Sequence, residues 1–358
     1  MDSIKQDLKG EQKSALQTPS PGVVVITGAS AGVGRAAAEA FARRGARIGL
    51  IARGQDGLVA AQKDIEALGG RAVFRVADVA DPDQVEAAAQ SIEEELGPID
   101  IWVNNAMVSV FSPVKEMTAA EFRRVTEVTY LGYVHGTLSA LRRMLPRDRG
   151  VIVQVSSALA FRAIPLQSAY CAAKHAIKGF TESLRSELLH DRSQVAISMV
   201  HLPAVNTPQF DWVKSRLAHR AQPVPPIYQP EVIGEAIVWA AQHKPRDLPV
   251  AWPATKAIWG EKVIPGWIDR YLARTGYKSQ QTDEPVAEGA PNNLWQPLPG
   301  DAGAHGRFDA LARSFSATMW LTRHRAWLVP LFGGALFGAS VAMWRSRSGR
   351  RRKGRHGV

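Results

Sequence analysis

Over the first 250 residues, apolar positions come in short continuous runs, and alternation of apolar with polar residues is rare. Runs of this kind are typical of parallel strands that are buried on both faces of a sheet. Seven of them occupy residues 23–27, 47–52, 72–77, 99–105, 151–157, 195–202 and, less regularly, 248–252. Stretches of helical length lie between them, at 34–44, 56–68, 83–96, 119–145 and 168–190. This order predicts an α/β fold, a doubly wound parallel sheet of about seven strands with helices on both faces.

Changes in amino-acid composition divide the rest of the chain into regions. Too few apolar residues occur in the N-terminal segment for it to fold, and it lacks the apolar core of a signal peptide, so we expect a mobile arm and a cytoplasmic protein. The predicted regions are an arm at 1–20, a nucleotide-binding domain at 21–252, an extension at 253–325, an apolar helix at 326–344 and a basic tail at 345–358.

A glycine-rich turn follows the first predicted strand. Gly28, Gly32 and Gly34 stand between the run "VVVIT" and a predicted helix. Glycine permits a tight turn and close approach of the backbone, and a helix N-terminus offers free N–H groups to a pyrophosphate. The position in the first strand–helix unit therefore favours a dinucleotide site.

Three further residues have the chemistry of an acid–base site. Tyr170 and Lys174 are four positions apart, so they point the same way on a helix. A neighbouring ammonium favours the phenolate, so we expect it to lower the pKa of the tyrosine. Ser157 ends the fifth predicted strand, where a parallel sheet delivers side chains to a ligand, and its hydroxyl can donate to a substrate oxygen.

Taken together, the motifs resemble the short-chain dehydrogenase/reductase family. The glycine spacing is Gly-x-x-x-Gly-x-Gly preceded by "TGAS", and "ADV", "NNA", "VSS", "YCAAK" and "LPAVNT" follow in order from 77 to 207. The resemblance covers residues 22–250 and implies a Rossmann-type domain that binds NAD or NADP. It also implies hydride transfer between nicotinamide and a carbonyl or alcohol. Tyr170 would be the general acid/base, Ser157 would hold the substrate oxygen, and Lys174 would also grip the nicotinamide ribose.

The resemblance extends to the cofactor contacts. It implies that the backbone from Ser30 to Val33 holds the pyrophosphate and that Asp78 accepts from the adenine amino group. Asn105 and Ala106 would line the adenosine ribose, and Thr207 would steady the nicotinamide amide. The complete expected cofactor set is Gly28, Ser30, Gly32, Val33, Gly34, Arg53, Asp78, Val79, Asn105, Ala106, Tyr170, Lys174 and Thr207.

The end of the second strand bears on the choice of cofactor. NAD sites place a carboxylate there for the ribose 2′-hydroxyl, but this chain has Arg53 and no acid before Asp56. A guanidinium pairs with a 2′-phosphate and gains nothing equivalent from a hydroxyl. We therefore expect NADP, with NAD possible; a solvated surface arginine is the alternative.

The chain departs from the family pattern at three positions. Thr129 stands where an asparagine usually completes the catalytic set and holds a relay water. Met107 and Ala204 replace glycines near the cofactor. These changes leave the reaction type in place and put its fine geometry in question.

Composition restricts the partners. The net charge is +11, but seven cations lie in residues 345–358 without an acid, so we expect no nucleic-acid partner. Because the chain has a single cysteine and no pair of histidines at ligand spacing, we expect no metal site.

The segment after Thr207 indicates an apolar substrate, because it contains Phe210, Trp212 and Ile227. A cofactor-binding scaffold or regulator without turnover remains the alternative function.

The apolar segment Ala326–Trp344 predicts membrane attachment. Its 19 residues carry no charge, close to the ~20 that a helix needs to cross the hydrocarbon. Trp327 and Trp344 stand near its ends, where aromatic rings favour the interface. We expect a catalytic domain on the cytoplasmic side of a membrane. The basic tail is then either translocated against the positive-inside rule, or the segment dips in and returns.

Association is also expected. Members of the family usually assemble through the two long helices predicted at 119–145 and 168–190. In addition, Gly334 and Gly338 form a small-xxx-small step that could bring two tails together. The sequence therefore predicts a homo-oligomer.

Truncation after Arg325 tests the anchor. We expect the shortened chain to be released from the membrane fraction with its activity retained, because the apolar segment lies outside the predicted catalytic domain. Fractionation followed by a salt wash measures this. A truncated protein that stays with washed membranes would show that the anchor lies elsewhere.

Overall fold

The computed structural model describes residues 21–252, 255, 263–287 and 289–324. The expected N-terminal arm, the apolar segment 326–344 and the basic tail lie outside these residues. Within the described part, no helix is both long enough and apolar enough to cross a bilayer.

A seven-stranded parallel sheet forms the centre of the structure. Its order is β7-β6-β5-β4-β1-β2-β3, and every neighbouring pair is parallel. Successive residues of a strand face opposite sides of a sheet, and every residue of β1 and β5 is buried, so both faces are covered. The strands are β1 Val23–Thr27, β2 Arg47–Ala52, β3 Arg71–Val76, β4 Ile99–Asn104, β5 Val151–Ser157, β6 Ala196–Leu202 and β7 Asp247–Pro249.

The predicted α/β fold class is confirmed, and the predicted strand ends agree with the structure to within one residue except at the end of the last strand. The last strand is shorter than the run that predicted it, because "LPVAW" continues beyond the pairing with β6. The sheet helices are α1 Gly32–Ala42, α2 Gln55–Ala67, α3 Pro82–Leu96, α4 Ala119–Thr126, α5 Gly132–Met144, α6 Ser168–His190 and α7 Pro230–His243.

Local sequence explains where several helices begin. Asp81 caps α3 by accepting hydrogen bonds from the backbone of Asp83 and Gln84, and Pro82 occupies the first turn. Thr118 and Glu121 form a reciprocal capping box at the start of α4. These caps satisfy N–H groups that have no partner inside the helix.

The long helix predicted over 119–145 is interrupted. A π-helical turn, Glu127–Leu131, separates α4 from α5 and contains Thr129, the position that departs from the family pattern. Single π-helical turns often occur at functional sites. The interruption therefore lies at the position where the sequence departs from the catalytic set of the family.

The extension belongs to the same compact unit as the sheet as far as Phe315, and a second unit starts at Ser316. The extension contains α8 Pro265–Thr275 and the strand Gln281–Pro285, which pairs antiparallel with His219–Ala221. Residues 312–313 pair in parallel with Ile227–Tyr228. The stretch 278–306 thus contributes a strand to this unit.

Candidate active site

A cavity of about 670 Å³ opens where the sheet strands end. Every residue expected in the catalytic and cofactor sets lines it, with the exception of Gly34. Residues more than 100 positions apart, such as Gly28 and Tyr170, therefore share one site. The carboxyl ends of parallel strands are where α/β sheets bind ligands.

Two glycines determine the shape of the loop after β1. Gly28 has φ +67°, which favours glycine. A Cβ on Gly34 would lie 2.2 Å from the carbonyl oxygen of Gly28, so only glycine lets the helix start this close to the strand. Gly34 therefore shapes the loop from behind, which explains why it does not line the cavity.

Ser157, Tyr170 and Lys174 converge in the cavity. Ser157 is the last residue of β5, and Tyr170 and Lys174 lie one turn apart in α6. The Ser157 side chain acts on the Tyr170 hydroxyl, whose pKa it lowers, and the Lys174 Nζ lies 5.5 Å from the centre of the Tyr170 ring. This arrangement joins a hydroxyl donor, a phenol and an amine within one enclosed space.

Lys174 is held by two oxygen atoms. Its Nζ donates to the carbonyl of Val155 at 2.8 Å and to the hydroxyl of Tyr133 at 3.0 Å. The Tyr133 hydroxyl in turn donates to the same carbonyl at 2.8 Å. Lys174 and Tyr133 are both buried, with exposed fractions of 2% and 1%. Two of the three ammonium donors are thus fixed by the protein.

Burial shifts the two ionisable partners in opposite directions. It lowers the pKa of Lys174 to about 7. Burial also raises the pKa of Tyr170 above its ordinary value, and the hydrogen bond from Ser157 only partly opposes this. Among the protein's own groups, the pKa of Tyr170 is thus set mainly by burial, and the lowering expected from the lysine does not occur.

Thr129 has a defined role in the structure. Its hydroxyl donates to the carbonyl of Val108 at 2.8 Å and accepts from the Val108 N–H at 3.1 Å. Thr129 is fully buried in the π-helical turn. The side chain therefore ties this turn to the segment that follows β4, and its hydroxyl proton is used in doing so.

Arg53 differs from its expected state. It lines the cavity, but its guanidinium donates to the carbonyls of Asn293 at 2.6 Å and Trp295 at 3.0 Å. It is not the solvated surface arginine of the alternative interpretation. Burial is the largest reason that its pKa is lowered, and the charge of Arg124 adds to this effect.

Asp78 is also engaged by the protein. One carboxylate oxygen accepts from the backbone of Ala80 at 3.0 Å, and the other pairs with Arg124. Asn105 faces the cavity, while its side-chain amide donates to the carbonyls of Thr27 and Gly28. Both residues thus stabilise the loops around the cavity.

Part of the cavity lining is apolar. Phe210 and Trp212 line it, as the sequence indicated. Ile227 does not line the cavity, because it is buried in a strand pairing with Ala204. Further apolar lining comes from Leu159, Ile164, Val224 and Leu272.

No histidine among the described residues lines this cavity. His135 contacts the carbonyl of Val79, and His175 contacts the carbonyl of Cys171 in its own helix. No cluster of metal-ligating side chains occurs in the portion of the chain that is described.

Sequence reasoning missed three contributors. Tyr133 lies one helical turn after Thr129, and that spacing could have indicated a second group facing the lysine. Arg124 and the segment 293–303 gave no signal, because their partners are far away in the sequence.

Comparison with known proteins identifies the family. The model of the short chain dehydrogenase family matches residues 22–217. This chain belongs to that family. The uncharacterized oxidoreductase YxnA of Bacillus subtilis is 32% identical over 265 residues, which is 74% of each chain. A fatty acyl-CoA reductase of Acinetobacter baylyi is 30% identical over 226 residues, 63% of this chain and 74% of the relative.

Solved structures agree. A metagenomic short-chain oxidoreductase in complex with NADP has a TM-score of 0.54 at 28% identity, covering 64% of this chain and 96% of its own. Levodione reductase has a TM-score of 0.56 at 26% identity with the same coverage. The short-chain dehydrogenase described here is an NAD(P)-dependent oxidoreductase.

Replacing Lys174 tests its burial through stability. The folded chain prefers neutral lysine above a pKa of about 7, whereas the unfolded chain keeps the proton up to its ordinary value of 10.5. The unfolded state then binds more protons, so the wild type gains stability as pH rises between these values. We expect Lys174→Met to lack this gain in thermal unfolding scans from pH 6 to 10. Parallel melting temperatures of the two proteins would contradict the shift.

Proposed function

We propose that the chain transfers a hydride between NADP and a carbonyl or alcohol carbon of an apolar substrate, with Tyr170 as the general acid/base. The observation that carries this proposal is the convergence of Ser157, Tyr170 and Lys174 in the cavity that the glycine loop also lines. The residues present fit a dinucleotide, because the loop is shaped for close backbone approach and a guanidinium lies at the end of β2.

The nicotinamide, when bound, supplies or accepts the hydride. The chain's own groups manage the proton and the substrate oxygen. In reduction, the Tyr170 hydroxyl gives its proton to the substrate oxygen, and its raised pKa keeps that proton in place until then. The Ser157 hydroxyl donates to the same oxygen and orients it. The Lys174 amine stabilises the phenolate that remains.

Tyr133 is proposed as a positioning residue for Lys174. Its hydroxyl and the Val155 carbonyl fix two ammonium donors, so the third has a single direction open to it. Thr129 contributes indirectly, because it holds the π-helical turn that precedes Tyr133 in the chain. In this proposal a buried phenol and a threonine together stand in for the family's asparagine and its water.

NADP preference is proposed from Arg53. The guanidinium lines the cavity and lies at the end of β2, where a 2′-phosphate is read in this fold. A solved relative carries NADP, which agrees with this choice. The lack of a carboxylate at the start of the following loop removes the group that favours NAD.

An apolar substrate is proposed from the wall formed by Leu159, Phe210, Trp212 and Leu272. The relative from Acinetobacter is named for a fatty acyl substrate, and such a chain is the apolar carbonyl class that this wall suits. Exposed Leu138, Leu145 and Leu189 on or beside α5 and α6 support the proposed homo-oligomer, because they offer apolar surface on the long helices. Membrane attachment through 326–344 stays a prediction from sequence.

Tyr170→Phe tests the mechanism. Removal of the hydroxyl should lower kcat about 10²–10⁴-fold, the usual contribution of a general acid. Affinity for NADPH should change little, because the ring remains. NADPH oxidation with a panel of apolar aldehydes and ketones measures turnover. Undiminished turnover would remove Tyr170 from the mechanism, and NADPH binding by an inactive wild type would favour the scaffold alternative.

Tyr133→Phe tests the positioning role. Loss of an acceptor makes the ammonium less favourable, so the fall of the reduction rate with rising pH should move to lower pH. Tyr130→Phe is the matched control, because it removes the same hydroxyl from a partly exposed ring in the adjacent turn. The pH profile of kcat for all three proteins measures this. A profile of the Tyr133 variant that matches the wild type would limit Tyr133 to a structural role.

A further inference from the structure

Residues 293–303 of the extension run along the cavity, and we call this segment the strap. It is bonded to two residues of the expected cofactor set. One end bonds to Arg53, after β2, and the other bonds to Gly32, in the glycine loop. No motif in the sequence marked this segment.

The first anchor lies beside Arg53. Its guanidinium donates to the carbonyls of Asn293 at 2.6 Å, Trp295 at 3.0 Å and Leu294 at 3.5 Å. The Leu294 carbonyl also accepts from Nε of Arg124 at 3.1 Å. The Leu294 side chain is fully buried in the main hydrophobic core, so this anchor joins apolar burial to two charged donors.

The second anchor lies beside the glycine loop. Asp301 pairs with Arg35 at 2.6 Å, and Arg35 is 3% exposed. The backbone N–H of Gly300 donates to Asp56 at 2.7 Å. The carbonyl of Gly303 accepts from the N–H of Gly32 at 3.0 Å. The strap therefore already occupies one donor of the loop expected to hold the pyrophosphate.

Between the anchors, the strap forms part of the wall of an open space. Residues 297–302 line the same cavity as Ser30 and Arg53, and that cavity retains about 670 Å³ with the strap in place. Asp301 is the only acid among residues 293–303, and its pairing with Arg35 offsets its charge beside an anionic ligand. Both facts describe an added wall of the site.

We propose that the strap is a structural component of the cofactor site: it holds Arg53 in position for the 2′-phosphate and retains the bound dinucleotide. This inference rests on the proposed use of NADP. Arg53 has five N–H donors and the strap carbonyls use only part of them, so the remainder can face a phosphate. Release of the cofactor then requires strap contacts to break.

Asp301→Asn tests retention. The change removes one of the two carboxylate charges that pair with Arg35, which keeps its pair with Asp64, and it leaves the shape of the side chain. The change weakens one anchor of the strap and leaves the expected cofactor-binding residues unaltered, so we expect NADPH to dissociate about tenfold faster, with a matching rise in Kd. Glu284→Gln is the control, because Glu284 is another carboxylate of the extension paired with an arginine, away from the cavity. NADPH fluorescence gives Kd, and stopped-flow displacement gives the dissociation rate.

Hydrogen exchange of the wild type gives a second readout that needs no variant. Amides of residues 293–303 should exchange more slowly with NADPH bound, because the ligand and the strap hold each other. Faster exchange would show that the cofactor displaces the strap, and unchanged exchange with an unaltered Asp301→Asn dissociation rate would show that it takes no part. Either result overturns the inference while NADPH binding stands. A wild type that fails to bind NADPH at all would overturn the proposed function as well.

Discussion

The burial of Lys174 is the constraint on which the rest of the site depends. An enclosed ammonium must find acceptors, because its desolvation is costly. The acceptors are the carbonyl of Val155, near the end of β5, and the hydroxyl of Tyr133, near the start of α5. The strand and two helices, α5 and α6, must therefore meet within hydrogen-bond distance of one atom. The bond between Thr129 and Val108 extends this requirement to the segment after β4.

The same burial prepares the chemistry. Desolvation lowers the pKa of Lys174 to about 7 and raises the pKa of Tyr170. Each shift moves the group away from its charged form, so the protein alone holds a protonated phenol beside an amine near its midpoint at neutral pH. A phenol in that state keeps its proton at neutral pH. The enclosure that makes charge costly thus also keeps the proton available for a substrate oxygen.

Much of the sheet could be predicted from sequence, because its strands are continuous apolar runs, the stretches between them have helical length, and some of the helices have a start signal of their own. The glycine loop and the convergence of Ser157 with Tyr170 follow from strand ends and helical spacing. The break in the helix over 119–145 could not be predicted, since Thr129 acts through a backbone contact with Val108. The use of Ile227 as a sign of an apolar substrate site was wrong for a related reason: Ile227 lies in a strand that pairs with the strand of Ala204.

The role of Arg53 shows most clearly what a local pattern omits. Its place after β2 indicates an anion ligand, yet the groups it bonds are main-chain carbonyls 240 to 242 residues further on. Every residue has a backbone carbonyl, whatever its side chain, so the amino-acid sequence of this segment gives no sign of the contact. The extension and the sheet form one unit through Phe315. A ligand that binds only when the strap is in place also stabilises the strap, so cofactor affinity and the folding of the extension are linked.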